Sequence, residues 1–177
     1  IVLAPGGGES WGKDAHYKQW PRESWIELAR LLARDTGFKI VVLGSQTEET
    51  LARTVAAAAE SHSAAGVTAI VGEPLRRVLA LLAGARAFVG TDGGLLHLAN
   101  LVGTPAVGLY GPVSERGYGP LQDAARQTKV VTADVPCRPC YRQFRFTGCA
   151  FHKRCLTEIR PDRVAREVHA LLAPKPL

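Results

Sequence analysis

Asp92, Gly93, Gly94, Leu95 and His97 stand together where an apolar run, Ala87-Phe88-Val89, gives way to Gly90-Thr91. This order reads as a strand end, a glycine turn and the first turn of a helix. Such a turn leaves several backbone N–H groups unpaired at a helix start, where free donors and the helix dipole together favour an anion. A second glycine turn, Gly6-Gly7-Gly8, follows the apolar run Ile1 to Ala4 behind Pro5. A third loop, Gly44-Ser45-Gln46-Thr47-Glu48-Glu49, follows Ile40 to Leu43 and sets carboxylates at another helix start. An acid there is placed to accept hydrogen bonds from ribose hydroxyls. It equally suits the positive end of the helix dipole.

The elements that hold these turns follow from the hydrophobic pattern. Apolar runs at Ile1–Ala4, Lys39–Leu43, Val67–Val71, Ala87–Thr91, Ala106–Tyr110 and Lys129–Thr132 predict six strands. Between them lie helical segments. The first opens at Trp20-Pro21, carries Trp25, Ile26, Leu28, Ala29, Leu31 and Leu32 at helical spacing, and stops at Gly37. Others span Thr47 to Ser61, Pro74 to Ala83, Leu95 to Val102 and Pro161 to Leu172. Continuous apolar strands alternating with helices predict an α/β fold with a parallel sheet covered on both faces. Right-handed crossovers then favour a Rossmann-like, doubly wound sheet of order 3-2-1-4-5-6. Strands 1 and 4 are neighbours in that order, so the two glycine turns meet at one crevice, which predicts a nucleotide-like ligand. Neither a G-x-G-x-x-G turn nor the Walker lysine pattern is present, which disfavours a dinucleotide dehydrogenase and a P-loop NTPase.

A chain of 177 residues suffices for one well-cored domain and is short for two. With 46% hydrophobic and 21% charged residues the composition is ordinary, and the net charge of +6 points to an anionic partner without singling one out. Methionine is absent and residue 1 already lies inside an apolar run. The expectation is therefore an excised domain whose partner half is absent. No signal-peptide pattern is recognisable. Gly93 to Ser114 carries no formal charge and approaches membrane-spanning length. Gly103-Thr104-Pro105 interrupts it, so a buried helix followed by a buried strand, in a soluble protein, is expected.

All four cysteines, Cys137, Cys140, Cys149 and Cys155, fall in one short segment. C-x2-C followed by two more is compatible with tetrahedral zinc, with packed thiols, or with disulfides. Arg138, Arg142, Arg145, Lys153 and Arg154 interleave there with Tyr141, Phe144, Phe146 and Phe151, a mixture suited to nucleic acid, to an anionic membrane surface, or to a packed loop with solvated arginines.

PGGGESWG (Pro5 to Gly12), YKQWP (Tyr17 to Pro21), VVLGSQTEE (Val41 to Glu49), the stretch Gly90 to Pro120, and the order CRPC, GC, CL-x-x-I from Cys137 to Ile159 jointly carry a resemblance. The chain resembles the ADP-heptose:lipopolysaccharide heptosyltransferases of glycosyltransferase family 9, an inverting family of GT-B fold. The likeness corresponds to their C-terminal, donor-binding half and covers nearly the whole chain. It implies a single nucleotide-sugar-binding domain, with a core over 1–136, a Cys-rich basic segment over 137–160 and a closing helix over 161–177. The N-terminal acceptor domain would be absent.

The resemblance also assigns roles. Lys18 matches a lysine near the donor phosphates and would stabilise the leaving diphosphate. Glu48 matches the ribose-binding acid, with Glu49 the one-residue alternative. Gly7 and Gly8 join the donor-binding set. Asp92, Gly93, Gly94, Leu95 and His97 match a D-x-G-L-x-H turn whose amides hold the pyrophosphate. There Asp92 faces the heptose hydroxyls and His97 donates to a phosphate. Gly93 stands where many relatives carry Thr or Ser, and the loop from Gly6 to Tyr17 is longer than the family pattern. The implied activity is transfer of heptose from ADP-heptose to the lipopolysaccharide inner core, without cofactor or metal. The base and the acceptor site would lie in the missing half, so this chain would bind donor without turnover. The implied place is the cytoplasm, in peripheral contact with the inner membrane, and no nucleic acid is expected as partner. Alternatives are a related enzyme using another nucleotide sugar, a free-standing nucleotide-binding domain, or a nucleic-acid-binding module built on the basic cysteine segment.

Overall fold

A computed structural model describes residues 1–8, 10–60, 66–121 and 127–173. Six parallel strands form one sheet: β1 (Val2–Ala4), β2 (Ile40–Gly44), β3 (Val67–Val71), β4 (Phe88–Thr91), β5 (Ala106–Tyr110) and β6 (Thr128–Thr132). Their order is β3-β2-β1-β4-β5-β6, the doubly wound arrangement expected from the sequence. Strand β1 sits between two partners, with Leu3 opposite both Val42 and Val89.

Alternation along these strands feeds two cores. Leu3, Val42, Val89 and Leu109 face one side, where α1 (Arg22–Thr36), α2 (Glu49–Glu60) and α7 (Pro161–Leu172) supply Trp25, Leu28, Val55, Val164 and Val168. Val2, Leu43, Phe88 and Tyr110 face the other, against Val78 and Leu82 of α3 (Leu75–Ala83) and Leu96 and Ala99 of α4 (Gly94–Leu101). Helix α1 ends on Gly37 at φ 67°, a left-handed stop open to glycine at no steric cost. The uncharged stretch from Gly93 to Ser114 is a helix and a buried strand, α4 and β5. Among the described residues no helix is long and apolar enough to cross a membrane.

Several elements differ from the sequence pattern. Gly12–Lys18 is a 3-10 helix, not a simple polar loop, and a 3-10 turn at Gln46–Glu48 precedes α2. The expected helix end at Ser61 lies outside the described residues, as does 174–177 of the closing segment. Segment 137–160 contains a two-stranded antiparallel hairpin, β7 (Tyr141–Arg142) and β8 (Arg145–Phe146), and a one-turn helix, α6 (Arg154–Thr157). Another one-turn helix, α5 (Glu115–Tyr118), follows β5. Elements this short leave no periodic signal in a sequence.

Candidate functional site

The C-terminal ends of β1, β2 and β4 open on one crevice at the point where the strand order reverses. Its centre is the turn after β4. The Asp92 amide donates to the Leu109 carbonyl on β5 at 3.1 Å. The Thr91 hydroxyl donates to the Gly6 carbonyl at 2.8 Å, tying this turn to the first glycine loop. Any Cβ on Gly93 would stand 3.5 Å from the Gly7 carbonyl oxygen, so the two loops run in contact. Helix α4 starts at Gly94, and the Gly93 carbonyl accepts from the amides of Leu96 and His97. The amides of Gly94 and Leu95 precede any intrahelical acceptor and are the orphan donors of this helix start.

Glu48 closes the third side. Its Oε2 accepts from the Ser45 amide at 2.9 Å, as part of a capping box, and its Oε1 accepts from the Gly8 amide at 3.1 Å. A carboxylate has further lone pairs, so the group is oriented but not saturated. Gly6 is required beneath it, because a Cβ there would overlap the carboxylate. Glu49 instead binds Arg53 and Gln46 at the surface.

Two cavities flank the central turn. The larger, about 430 Å³, is bordered by Gly6, Gly7, Gly8, Glu48, Gly93, Gly94 and Leu95, with apolar walls from Leu43, Leu75, Val78 and Leu98. On the other side lies a cavity of about 210 Å³ bordered by Lys18, Asp92, Trp11 and Tyr118. Adjacent residues, Asp92 and Gly93, therefore belong to different chambers. The orphan amides of Gly94 and Leu95 border the larger of the two.

Lys18 is buried and ion-paired. The last residue of the 3-10 helix, it reaches Asp92 Oδ2 at 3.0 Å, with side-chain exposures of 6% and 12% for the two residues. Its ammonium also lies 5.4 Å from the centre of the Trp11 ring. Gly7 permits this approach, since a Cβ there would come 3.1 Å from Lys18 Cβ.

Of the sequence-derived residues, Gly7, Gly8, Glu48, Gly93, Gly94 and Leu95 border the large cavity, and Lys18 and Asp92 border the small one. His97 is exposed on α4 and borders neither. Sequence reasoning placed Gly6 and Ser45 in the crevice loops without giving either a role, and it missed the apolar wall. The signal for the wall was an exposed leucine, Leu75, directly after Gly72-Glu73-Pro74. The four cysteines are thiols that border one small cavity of about 10 Å³. Among the described residues no group of three His, Cys, Asp or Glu side chains is arranged to hold a metal ion.

Comparison with known proteins decides the family. The model of glycosyltransferase family 9 (heptosyltransferase) matches residues 10–149. The chain belongs to this family. It is 33% identical over 159 residues to lipopolysaccharide heptosyltransferase 2 of Salmonella typhimurium, covering 88% of this chain and 43% of that protein. To lipopolysaccharide heptosyltransferase 1 of Pseudomonas aeruginosa it is 31% identical over 177 residues, covering 90% and 46%. The solved structure of E. coli ADP-heptose LPS heptosyltransferase II superposes with a TM-score of 0.76 at 30% identity, over 97% of this chain and 46% of that one. The six-stranded sheet and its flanking helices match the GT-B heptosyltransferase fold. The chain spans less than half the length of these relatives.

Proposed function

We propose that this chain is the donor-binding part of an inverting glycosyltransferase that transfers heptose from ADP-heptose to the lipopolysaccharide inner core. One observation carries the reading: consecutive residues of one turn border two cavities, Gly93 to Leu95 an apolar-walled one and Asp92 the one that holds Lys18. A nucleoside diphosphate sugar has the same order, with an apolar-faced base, an anionic centre and a polyhydroxylated end. The base lies against Leu43, Leu75, Val78 and Leu98, and the ribose hydroxyls donate to Glu48. The diphosphate crosses the amides at the α4 start, where the helix dipole adds to the free donors. His97, exposed on α4 and bordering neither cavity, completes the proposed set as a donor to a phosphate.

In an inverting transfer a base deprotonates the acceptor hydroxyl, which attacks the anomeric carbon from the face opposite the leaving group. The barrier falls as charge on the departing diphosphate is stabilised by groups already in place. Here those groups are the amide turn and the ammonium of Lys18, which a bound diphosphate would share with Asp92. Asp92 remains directed at the sugar hydroxyls. This scheme uses no metal. We assign the base and the acceptor site to sequence outside this chain, with work at the cytoplasmic face of the inner membrane. The domain alone binds donor and turns none over.

Calorimetric titration of the purified chain with ADP, UDP and GDP tests the proposal. ADP binding in the micromolar range with weaker binding of the others is expected. Preference for UDP or GDP would move the reading to another nucleotide sugar, and binding of none would sink it.

A further inference from the structure

The smaller cavity has a wall that the glycine turns and charged residues do not account for. Trp11 precedes the 3-10 helix, Tyr118 ends α5, and Tyr141 and Phe144 belong to the β7–β8 hairpin, yet all four border this one space. Trp11 stacks on Tyr141 with ring centres 4.7 Å apart. Tyr118 meets Tyr141 at 5.6 Å and Phe144 at 6.3 Å, both edge to face. Lys18 and Asp92 complete the same cavity with an ammonium and a carboxylate.

The hairpin is fixed at its base and open at its tip. The amides of Cys140 and Tyr141 both donate to the Pro112 carbonyl, at 2.9 and 3.0 Å. Arg138 donates to the carbonyls of Gly111 and Val113 and to the Glu115 carboxylate. At the tip, Gln143 and Phe144 have φ of 48° and 61°, in the left-handed region. A two-residue hairpin turn of this kind favours Asn-Gly, and a phenylalanine there is locally unfavourable. Folding does not repay that cost by burying the ring, because Phe144 is 80% exposed. An unfavourable backbone and an exposed aromatic ring are thus combined in a residue that borders the cavity.

Aromatic side chains that border one cavity together with a carboxylate and an ammonium match the two-sided chemistry of a sugar ring. Its C–H bonds are attracted to the negative faces of the aromatic rings. Its hydroxyl rim donates to Asp92 and accepts from Lys18. A nucleobase has no such hydroxyl rim, and the larger apolar cavity already suits it.

We propose that Trp11, Tyr118, Tyr141 and Phe144 form an aromatic saddle that stacks on the transferred sugar and selects the sugar-bearing donor over the bare nucleotide. The inference rests on the donor-site reading above and extends it to residues outside the glycine turns.

The test compares ADP with ADP-heptose by calorimetry on the same chain. The wild-type chain is expected to bind ADP-heptose more tightly than ADP. Phe144→Ala and Tyr118→Ala should each lower that ratio about fivefold, with ADP affinity unchanged. Unchanged ADP affinity also shows that each variant is folded, since neither Phe144 nor Tyr118 borders the larger cavity that takes the nucleotide. Phe144→Tyr should keep the ratio and Phe144→Leu should lose it, which separates aromatic stacking from simple apolar cover. The saddle is overturned if the wild type gains nothing from the sugar, if the variants leave the ratio unchanged, if ADP weakens in parallel, or if leucine serves as well as tyrosine. Failure of the wild type to bind any of ADP, UDP or GDP would instead overturn the donor-site reading, and this inference with it.

Discussion

Lys18 and Asp92 face each other across 3.0 Å with little solvent, so each makes the other tolerable in the interior. Removing one partner strands a buried charge, and Lys18→Ala or Asp92→Ala should each cost about 3 kcal/mol of stability by denaturant unfolding. The pair Lys18→Met with Asp92→Leu should recover most of that loss while abolishing donor binding. A double-mutant cycle thus separates the structural use of the pair from its chemical use. Gly6→Ala acts in the opposite way. A methyl there overlaps the Glu48 carboxylate, whose flexible end can swing aside. The variant should unfold at nearly the wild-type denaturant concentration but bind ADP at least tenfold more weakly, because Glu48 leaves the Gly8 and Ser45 amides. The glycine turns were legible in the sequence because glycine and charge appear there as types. The orientation of Glu48 was legible only in part: Ser45 and Glu48 form the S-x-x-E pattern of a capping box, but the contacts with Gly6 and Gly8 come from a loop some forty residues away.

Long elements announced themselves. The six strands and α1, α2, α3, α4 and α7 fall close to where apolar runs and helical spacing put them. The β7–β8 hairpin did not, since strands of two residues are too short to alternate and the turn sequence Gln143-Phe144 lacks the usual glycine. That hairpin is held through Arg138. Burial alone would raise the Glu115 carboxyl, but the hydrogen bond and charge of Arg138 outweigh it and hold it below its ordinary value. The contribution of this bond is present above the ordinary carboxylate range and is lost as pH falls through the lowered value. Arg138→Ala should speed amide exchange across residues 141–146 by about tenfold while leaving the strands of the large sheet unchanged. Helix α6 carries a second pH-sensitive group. Burial first, then the neighbouring Cys140, Cys137 and Cys149, push the Cys155 thiol up to about 11 from an ordinary value of 9.0. Its stabilisation is complete below about 9 and is lost as pH rises through 11. In iodoacetamide labelling at pH 8, read by mass spectrometry, Cys155 should be the last of the four cysteines modified.

At the scale of the molecule, the beginning and end of the chain depend on one another. The Trp20 indole donates to the Ile159 carbonyl at 3.0 Å, and Val164 and Val168 of α7 are fully buried in the core that α1 and α2 share. Ending the chain at Arg160 would expose this face and forfeit about 5 kcal/mol of apolar burial, comparable with the stability of a whole domain. Loss of a cooperative thermal transition by circular dichroism is the expected outcome. The position of β1 between β2 and β4 has a consequence for biosynthesis. A strand made early cannot settle its second edge until residue 91 has left the ribosome, and the turn after β4 is not pinned until Leu109 arrives to accept from Asp92. Strand β1 therefore stays half-paired until β4 has been made, and the core that α1 and α2 share stays uncovered until α7 follows. Such half-paired segments are exposed to chaperones and to aggregation while the chain is still tethered to the ribosome.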